Sequence, residues 1–426
     1  MDGENEATTQ AEEMSSRPLY TPAPEFEDPA GRRRAVALLG LTLVFGMSTW
    51  FSASAVIPQL RSFWNLSASA AAWLTIAVQL GFVGGALLSS AVNLADLVSL
   101  RKIILFGAMG AAAANAGLLV AAGSTSAIAM RFATGFFLAG VYPPAFKLMA
   151  TWTRRGRGTA LGLLAGGISL GSAAPHLVNA VGGLDWRLVV WVTSLLTLLA
   201  GAVAISIQEG PFPFAPAVFD PRQIRKVLGN RGVRLATLGY FGHMWELFAM
   251  WAWFAAFFTA ELALDGSHST SAVPLATFAV IAIGAPGCWT GGVLGDRWGR
   301  TKTTAVMMTI SGLCAVTIGL ASAGPTWLVL LVGLAWGFTV IADSAQFTTM
   351  VTELADQAYV GTALTFQLAL GFTLTVATIW LIPQLESALS WRWAFAFLAP
   401  GPALGVLAML RLRSLPEAAH LAQGRG

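Results

Sequence analysis

The chain has 426 residues, of which 56% are apolar and only 11% charged, with a formal charge of +4. Soluble domains carry about 25% charged residues, so this composition, with a mean hydropathy of +0.67, excludes an ordinary soluble protein and indicates a polytopic helical membrane protein. The charge is uneven. Eight of the 21 acids lie before residue 29 against one base, Arg17, which leaves 24 bases and 13 acids, or +11, on the remainder. A basic body can signal nucleic acid, but here the bases flank apolar runs, as membrane topology requires.

Residues 1–34 read as a disordered acidic tail, rich in Pro, Glu, Ser and Thr, that ends in Arg32-Arg33-Arg34. It lacks the basic start and short apolar core of a signal peptide, so an uncleaved N-terminus is expected. Twelve apolar runs follow, each about 20 residues, the length that crosses about 30 Å of hydrocarbon. They fall at 35–58, 70–92, 103–122, 126–149, 159–180 and 188–207, then at 233–259, 273–294, 303–322, 326–350, 361–383 and 392–413. The stretch 208–232, with four prolines from Pro211 to Pro221 and a basic end, reads as a linker between the halves 35–207 and 233–413. Residues 414–426 are a second tail. Cys288 and Cys314 lie in apolar runs, where packing explains them.

With the N-terminus inside, the cytoplasmic loops and flanks from Arg32 to Arg413 hold 18 Lys/Arg, among them Arg154 and Arg155, and the outer loops three, Arg61, Arg187 and Arg392. That asymmetry follows the positive-inside rule and places both termini in the cytoplasm. The halves repeat. Gly158-Thr159-Ala160-Leu161 opens span 5 and Gly361-Thr362-Ala363-Leu364 opens span 11; Trp186-Arg187 and Trp391-Arg392 precede spans 6 and 12; Asp96 and Asp296 follow spans 2 and 8. Three pairs at nearly one offset indicate duplication, and duplicated six-helix halves are a transporter architecture.

Residues 292–302, Gly-Val-Leu-Gly-Asp-Arg-Trp-Gly-Arg-Thr-Lys, lie between spans 8 and 9. They match the loop signature Gly-x-x-x-Asp-Arg-x-Gly-Arg, and the chain over roughly 35–413 resembles a major facilitator superfamily transporter. The resemblance implies a fold of twelve transmembrane helices in two pseudo-symmetric six-helix bundles. It also implies a gating latch at Gly292, Asp296, Arg297, Gly299 and Arg300. Gly299 permits the turn, and Asp296 can accept from unpaired N–H groups at a helix N-terminus, expected by pseudo-symmetry near Gly158 and Arg157. In the first copy Asp96, Arg101 and Lys102 remain, but Val92, Leu97 and Ser99 replace the usual residues; Asp96 is either a second latch acid or a topology feature. Arg131 with Gly135 resembles the family's helix-4 pattern, in which the Arg is linked to proton coupling. Span 5 has Gly167 and Gly171 but then Ser172, where drug antiporters carry Pro.

Ionisable residues inside a span cost roughly 2.5–3.5 kcal/mol at its centre on insertion scales. Here Arg131 and Lys147 lie in span 4, His243 and Glu246 in span 7 and Asp343 in span 10. If each half holds two three-helix repeats, helices 1, 4, 7 and 10 are equivalent and line the path. His243 and Glu246 share a face with Tyr240. Glu246, modulated by His243, is the candidate proton carrier, and its alternative is a fixed bridge to Arg131 or His243. Asp343 is a second coupling candidate or a structural partner. Arg131 is open to substrate binding, coupling or structural pairing. Lys147 is expected to snorkel, and His176, near the outer end of span 5, to be structural. Trp50, Ser54, Tyr240 and Gln346 complete the candidate substrate contacts. Phosphate-loop and metal-ligand spacings are absent, so neither cofactor nor enzyme activity is expected.

The sequence thus points to an all-α inner-membrane transporter, working as a monomer by alternating access. It moves a small organic solute, with an anion favoured by Arg131 and Lys147, and uses protons. An efflux antiporter, a passive facilitator and a transport-inactive assembly or sensing protein are the alternatives.

Overall fold

The structure, a computed structural model, describes residues 28–426 except 154–155, 184, 213–219, 265–270, 323 and 357–358. The acidic tail through residue 27, Arg154, Arg155 and the proline-rich middle of the linker lie outside the described residues. Among the described residues eleven helices are long and apolar enough to cross a membrane, and a pair bent by 46°, taken as one span, makes a twelfth. We label the spans in chain order. They are α1 (Pro29–Thr49 and Ser54–Trp64), α2 (Ala68–Ala91), α3 (Leu100–Val120), α4 (Ser124–Ala150), α5 (Arg157–Val181) and α6 (Trp186–Ile205). The second set is α7 (Arg231–Leu264), α8 (Ala272–Trp298), α9 (Arg300–Ala321), α10 (Thr326–Leu354), α11 (Val360–Leu389) and α12 (Trp391–Arg413).

Local chemistry sets the ends and breaks. Asp28 caps α1 by accepting from the N–H groups of Ala30 and Gly31 at 3.1 and 2.8 Å. Asp185 accepts from the Arg187 N–H at 2.9 Å at the start of α6. The helix of α4 breaks after Leu138 and restarts at Tyr142, with Pro143 and Pro144 in its first turn, where a missing N–H costs nothing. Its counterpart α10 breaks after Val340 and restarts at Ser344, with Asp343 in the break.

Duplication appears in the packing as well as the motifs. α2 crosses α4 through Gly81, Gly85 and Gly135; α8 crosses α10 through Gly287, Gly291 and Gly337. A Cβ at Gly81 would strike the Phe132 carbonyl, and one at Gly287 the Phe338 carbonyl; Gly85 and Gly291 likewise face the carbonyls of Phe136 and Ala342. Small residues let backbones approach in a solvent that supplies no hydrophobic drive between helices. The halves meet along two seams, α5 against α8 and α2 against α11.

The side of the molecule carrying Arg101, Lys102, Arg300 and Lys302 is called the base-rich side below. It also holds the α4–α5 connection, both linker ends and residues 414–426. Here Asp220 accepts from the Arg222 N–H at 2.9 Å and Gln223 at 3.1 Å, and these two donors hold its carboxyl below the ordinary range.

The glycine crossings generate the first prediction. Gly291→Ala places a methyl into the Ala342 carbonyl, and overpacking of this kind costs about 1–3 kcal/mol or more. Purified Gly291→Ala should melt at a lower temperature than wild type, whereas Gly40→Ala, which meets open space, should not. Equal melting curves would show that α8 and α10 are less tightly apposed.

Candidate functional site

A cavity of about 250 Å³ opens near the base-rich side and is walled by both halves. Tyr142 and Phe146 of α4, Tyr240 of α7 and Gln367 of α11 supply its ring and amide surfaces, and Ser89, Ser90 and Thr365 its hydroxyls. Lys147, Asp96 and Arg157 are the charged groups on the wall. Gln367 is 2% exposed and its Nε2 has no protein hydrogen-bond partner among the described residues. Beyond the cavity an aromatic cluster closes the path. Phe82 stacks on Tyr142 at 5.7 Å and meets Phe372 at 4.6 Å, while Trp50 touches Phe82, Phe248 and Phe372 at 4.9, 5.8 and 5.6 Å. Trp50, a candidate substrate contact from the sequence, is thus 3% exposed in the plug where the halves join.

Behind Tyr240 lies a buried acid seam. The His243 Nδ1 and Asp343 Oδ1 are 2.8 Å apart, an ion-pair distance between α7 and α10, although the contact lacks hydrogen-bond alignment. Tyr240 stacks on His243 at 6.1 Å. One turn along α7, Glu246 is 2% exposed. Its Oε1 accepts from the Trp336 indole at 2.7 Å and its Oε2 from the Ser311 hydroxyl at 2.9 Å. Among the described residues no basic side chain stands within ion-pair distance of it. The sequence brings His243 and Glu246 to one face, but the structure pairs His243 with Asp343 and leaves Glu246 to neutral donors.

Arg131 is fully buried and far more committed than its sequence pattern suggests. Its guanidinium donates to the carbonyls of Thr49 at 2.8 Å and Leu74 at 3.3 Å, to Ser52 and Asn115 at 3.1 Å each, and to the Trp50 carbonyl. No acid pairs with it among the described residues. Three of these acceptors, Thr49, Trp50 and Ser52, lie at the break in α1, between Thr49 and Ser54, where helical N–H donors are lost. Arg131 thus ties α1, α2 and α3 together, which fits the structural role among those its sequence leaves open. Ser54 shares a 2.7 Å hydrogen bond with Thr75 of α2. His176 is buried on α5 with neither ring nitrogen hydrogen-bonded.

The loop after α8 forms a junction between the halves. Asp296 Oδ2 accepts from both the N–H and the hydroxyl of Thr159, at 2.9 and 2.8 Å. It meets the start of α5, where pseudo-symmetry puts it. Gly292 crosses Gly158, whose carbonyl a Cβ at 292 would approach to 2.6 Å. Arg300 anchors the acid side: it binds Glu353 through two 2.7 Å hydrogen bonds, Gln346 at 2.9 Å and Asp296 at 3.5 Å. Gln346 also donates to the Gly291 carbonyl at 3.2 Å, which places it in this junction and not on the cavity wall as the sequence suggested. Arg297 is exposed. Asp96, the first-copy acid, pairs instead with Lys147 at 3.0 Å, so Lys147 reaches a partner and does not simply snorkel. Residues 416–426 cover the loop: the Ala422 N–H donates to Glu353 at 3.2 Å, the Thr301 N–H to the Gly426 carbonyl at 3.2 Å, and Arg425 to the Asp296 carbonyl. Gly299, at φ 97°, lies beneath them.

Sequence reasoning missed Trp336, Ser311, Glu353 and the covering segment. Trp336 had one available signal, since it sits two helical turns from Asp343 and so shares its face. Ser311 had none.

The Major Facilitator Superfamily profile matches residues 38–378. The chain is 30% identical over 182 residues to the uncharacterized transporter YgaY of Escherichia coli O157:H7, covering 41% of this chain and 44% of that protein. It is 30% identical over 138 residues to the proline/betaine transporter of Salmonella typhimurium, covering 30% of this chain and 27% of that one. The chain thus spans less than half the length of these curated relatives. A solved D-xylose-proton symporter shares the fold, with a TM-score of 0.68 over 91% of this chain and 98% of that chain at 16% identity.

Two predictions follow from the geometry. Arg131→Lys keeps the charge but replaces five forked donors by three on a point charge. It should lower the melting temperature by an amount equivalent to about 2–4 kcal/mol, and an unchanged melt would remove the structural role. Asp296→Ala deletes two charge-assisted hydrogen bonds, worth about 1.5–3 kcal/mol each. Spin labels at Leu163 and Trp298, both exposed, should then report a broader, longer distance across the α5–α8 seam; an unaltered distribution would show that Asp296 does not hold it.

Proposed function

The chain belongs to the Major Facilitator Superfamily of membrane transporters, and on that premise we propose that it moves a small organic solute by proton-coupled alternating access. The observation that carries the coupling is Glu246, a carboxyl buried in the middle of α7 and held only by neutral donors. A buried acid bridged to a cation is locked in its charged form. One held by a hydroxyl and an indole can take and lose a proton as hydration and neighbours change. His243 and Asp343, one turn nearer the cavity and linked to it through the Tyr240 ring, form the route by which solute in the cavity and a proton on Glu246 influence each other.

The base-rich side is the cytoplasmic side on this reading, by the positive-inside rule, with both ends of the chain there and the protein in a bacterial-type inner membrane. The halves 35–207 and 233–413 act as the two rocking bodies, joined by 208–232. The Asp296 junction is the latch between them, and the aromatic plug around Trp50 closes the far side. The cavity is walled by both halves of one chain, which supports a single copy as the working unit.

The solute class rests on the cavity wall. Lys147 and Arg157 outnumber Asp96 there, which favours a carboxylate. Asp96 beside Lys147 also offers one charge to each end of a zwitterion. Proline and betaine, for which one relative is named, are zwitterions and are the first solutes to test beside simple carboxylates.

In proteoliposomes with an inward proton gradient, wild type should accumulate the solute above equilibrium. Glu246→Gln should bring the internal-to-external ratio to about 1 while solute exchange continues, because the neutral amide mimics the proton-loaded state. Accumulation by Glu246→Gln at the wild-type rate would sink the assignment. Flux without any proton movement in wild type would leave a passive facilitator.

A further inference from the structure

We propose that Ser311 of α9 is a hydroxyl switch that keeps Glu246 hydrogen-bonded in both its protonation states, with Trp336 of α10 as the fixed donor that aims it; this rests on the reading of Glu246 as the proton carrier. The two groups differ in what they can do. An indole N–H only donates, so Trp336 serves Oε1 whether that atom belongs to a carboxylate or is the carbonyl oxygen of an acid. A serine hydroxyl both donates and accepts.

The Ser311 Oγ stands between two acceptors, Glu246 Oε2 at 2.9 Å and the Met308 carbonyl at 3.2 Å. It has one hydrogen to share between them. With Glu246 ionised, that hydrogen points at Oε2. When a proton arrives on Oε2, the new O–H donates to the Ser311 Oγ, and the serine hydrogen turns to the Met308 carbonyl. Only the proton gained by Glu246 is added, and the serine O–H bond stays intact. Every polar atom of the pair is satisfied before and after. Without the switch, the acid form would leave a buried O–H without an acceptor, a loss of about 1–3 kcal/mol that would bias the carboxyl toward one state.

The ionisable groups facing this pair are few. His243 and Tyr240 lie on α7, Asp343 on α10, Cys314 one turn from Ser311 on α9, and Cys288 on α8 against the Ile341 carbonyl. α12 meets this stretch of α7 through Gly401, Gly405 and Met409. None of the groups so named on α8, α9 or α12 is a base, so nothing there competes with Ser311 for the Glu246 carboxylate. Ser311 also carries the protonation state to the backbone of α9, the span whose first residue, Arg300, stands in the Asp296 junction.

The test needs no solute. The full chain in lipid is titrated with pH while infrared difference spectra record carboxyl C=O bands. Wild type should show a band that Glu246→Gln removes. Ser311→Ala should move that band to higher wavenumber, because the acid O–H has lost its acceptor, and shift its titration midpoint by about one pH unit. Ser311→Thr, which keeps the hydroxyl, should restore both. Ser311→Cys, which keeps a γ atom but makes only weak hydrogen bonds, should move both readouts in the same direction as Ser311→Ala and stands in for it if that variant does not fold. Trp336→Phe should shift the midpoint without the rise in band position that marks a free O–H. A Glu246 band that is the same in wild type, Ser311→Ala and Ser311→Cys would overturn the switch while leaving the proton site intact. A wild-type spectrum that Glu246→Gln does not alter would instead overturn the reading on which the switch rests.

Discussion

The structure depends on one constraint: in hydrocarbon, a polar group released from a helix must find its partner within the protein. The break in α1 shows the consequence. Between Thr49 and Ser54 the helix changes direction by 46°, and the carbonyls around the break turn to Arg131. That guanidinium is itself costly to bury. It is tolerable because Ser52 and Asn115 also accept from it, and Asn115 in turn reaches α6 through Val190, Thr193 and Ser194. One bend thus ties α1, α2, α3, α4 and α6 into a single body. The buried charge of the first half is consumed in architecture.

The second half resolves the same constraint differently. Its α7 runs unbroken from Arg231 to Leu264, so it needs no arginine to repair it. Three of its buried ionisable groups, His243, Glu246 and Asp343, lie near the middle of the spans, and Glu246 is held by neutral donors. The same contrast governs the two seams. At α5–α8, Asp296 takes both donors of Thr159. At α2–α11, the contact is a neutral pair, Ser90 with Thr365 at 3.1 Å, and Thr362 at the start of α11 accepts from the Asp220 N–H of the linker at 3.0 Å. The degraded first copy of the loop signature therefore corresponds to a seam without an acid across it. Asp96 has turned to Lys147 on its own half.

Most of the fold was legible because membrane spans are set by length and hydropathy alone. The duplication was legible in Asp96 and Asp296 and in the two Gly-Thr-Ala-Leu runs, and the location of Asp296 against α5 followed from it. Pairings across spans were not. Helical periodicity puts His243 and Glu246 on one face, but the axial register of α10 decides that His243 meets Asp343 and Glu246 meets Trp336. Gln346, three residues beyond Asp343, read as part of the path, yet the restart of α10 at Ser344 turns it to Arg300. The partners of Arg131 were not legible, because three of them are backbone carbonyls, which carry no sequence signature. Ser311 lay in a span without ionisable residues and offered nothing to notice.

The arrangement of the acid seam is what a movable charge requires. His243 and Asp343 stand within ion-pair distance of each other. Glu246 has no such companion, so each proton it gains or loses changes the charge of the seam by one. At an effective dielectric of about 20, a unit charge 6 Å away is felt as nearly 3 kcal/mol, enough to matter against a conformational balance of a few kcal/mol. The route for that influence is short: Glu246, one turn to His243, and the Tyr240 ring that stacks on it and faces the cavity. An arginine in place of Trp336 would give a stronger bond and a charge that could not move. Neutral donors hold the carboxyl more weakly, and under the proposed coupling that weakness lets its charge respond to what occupies the cavity.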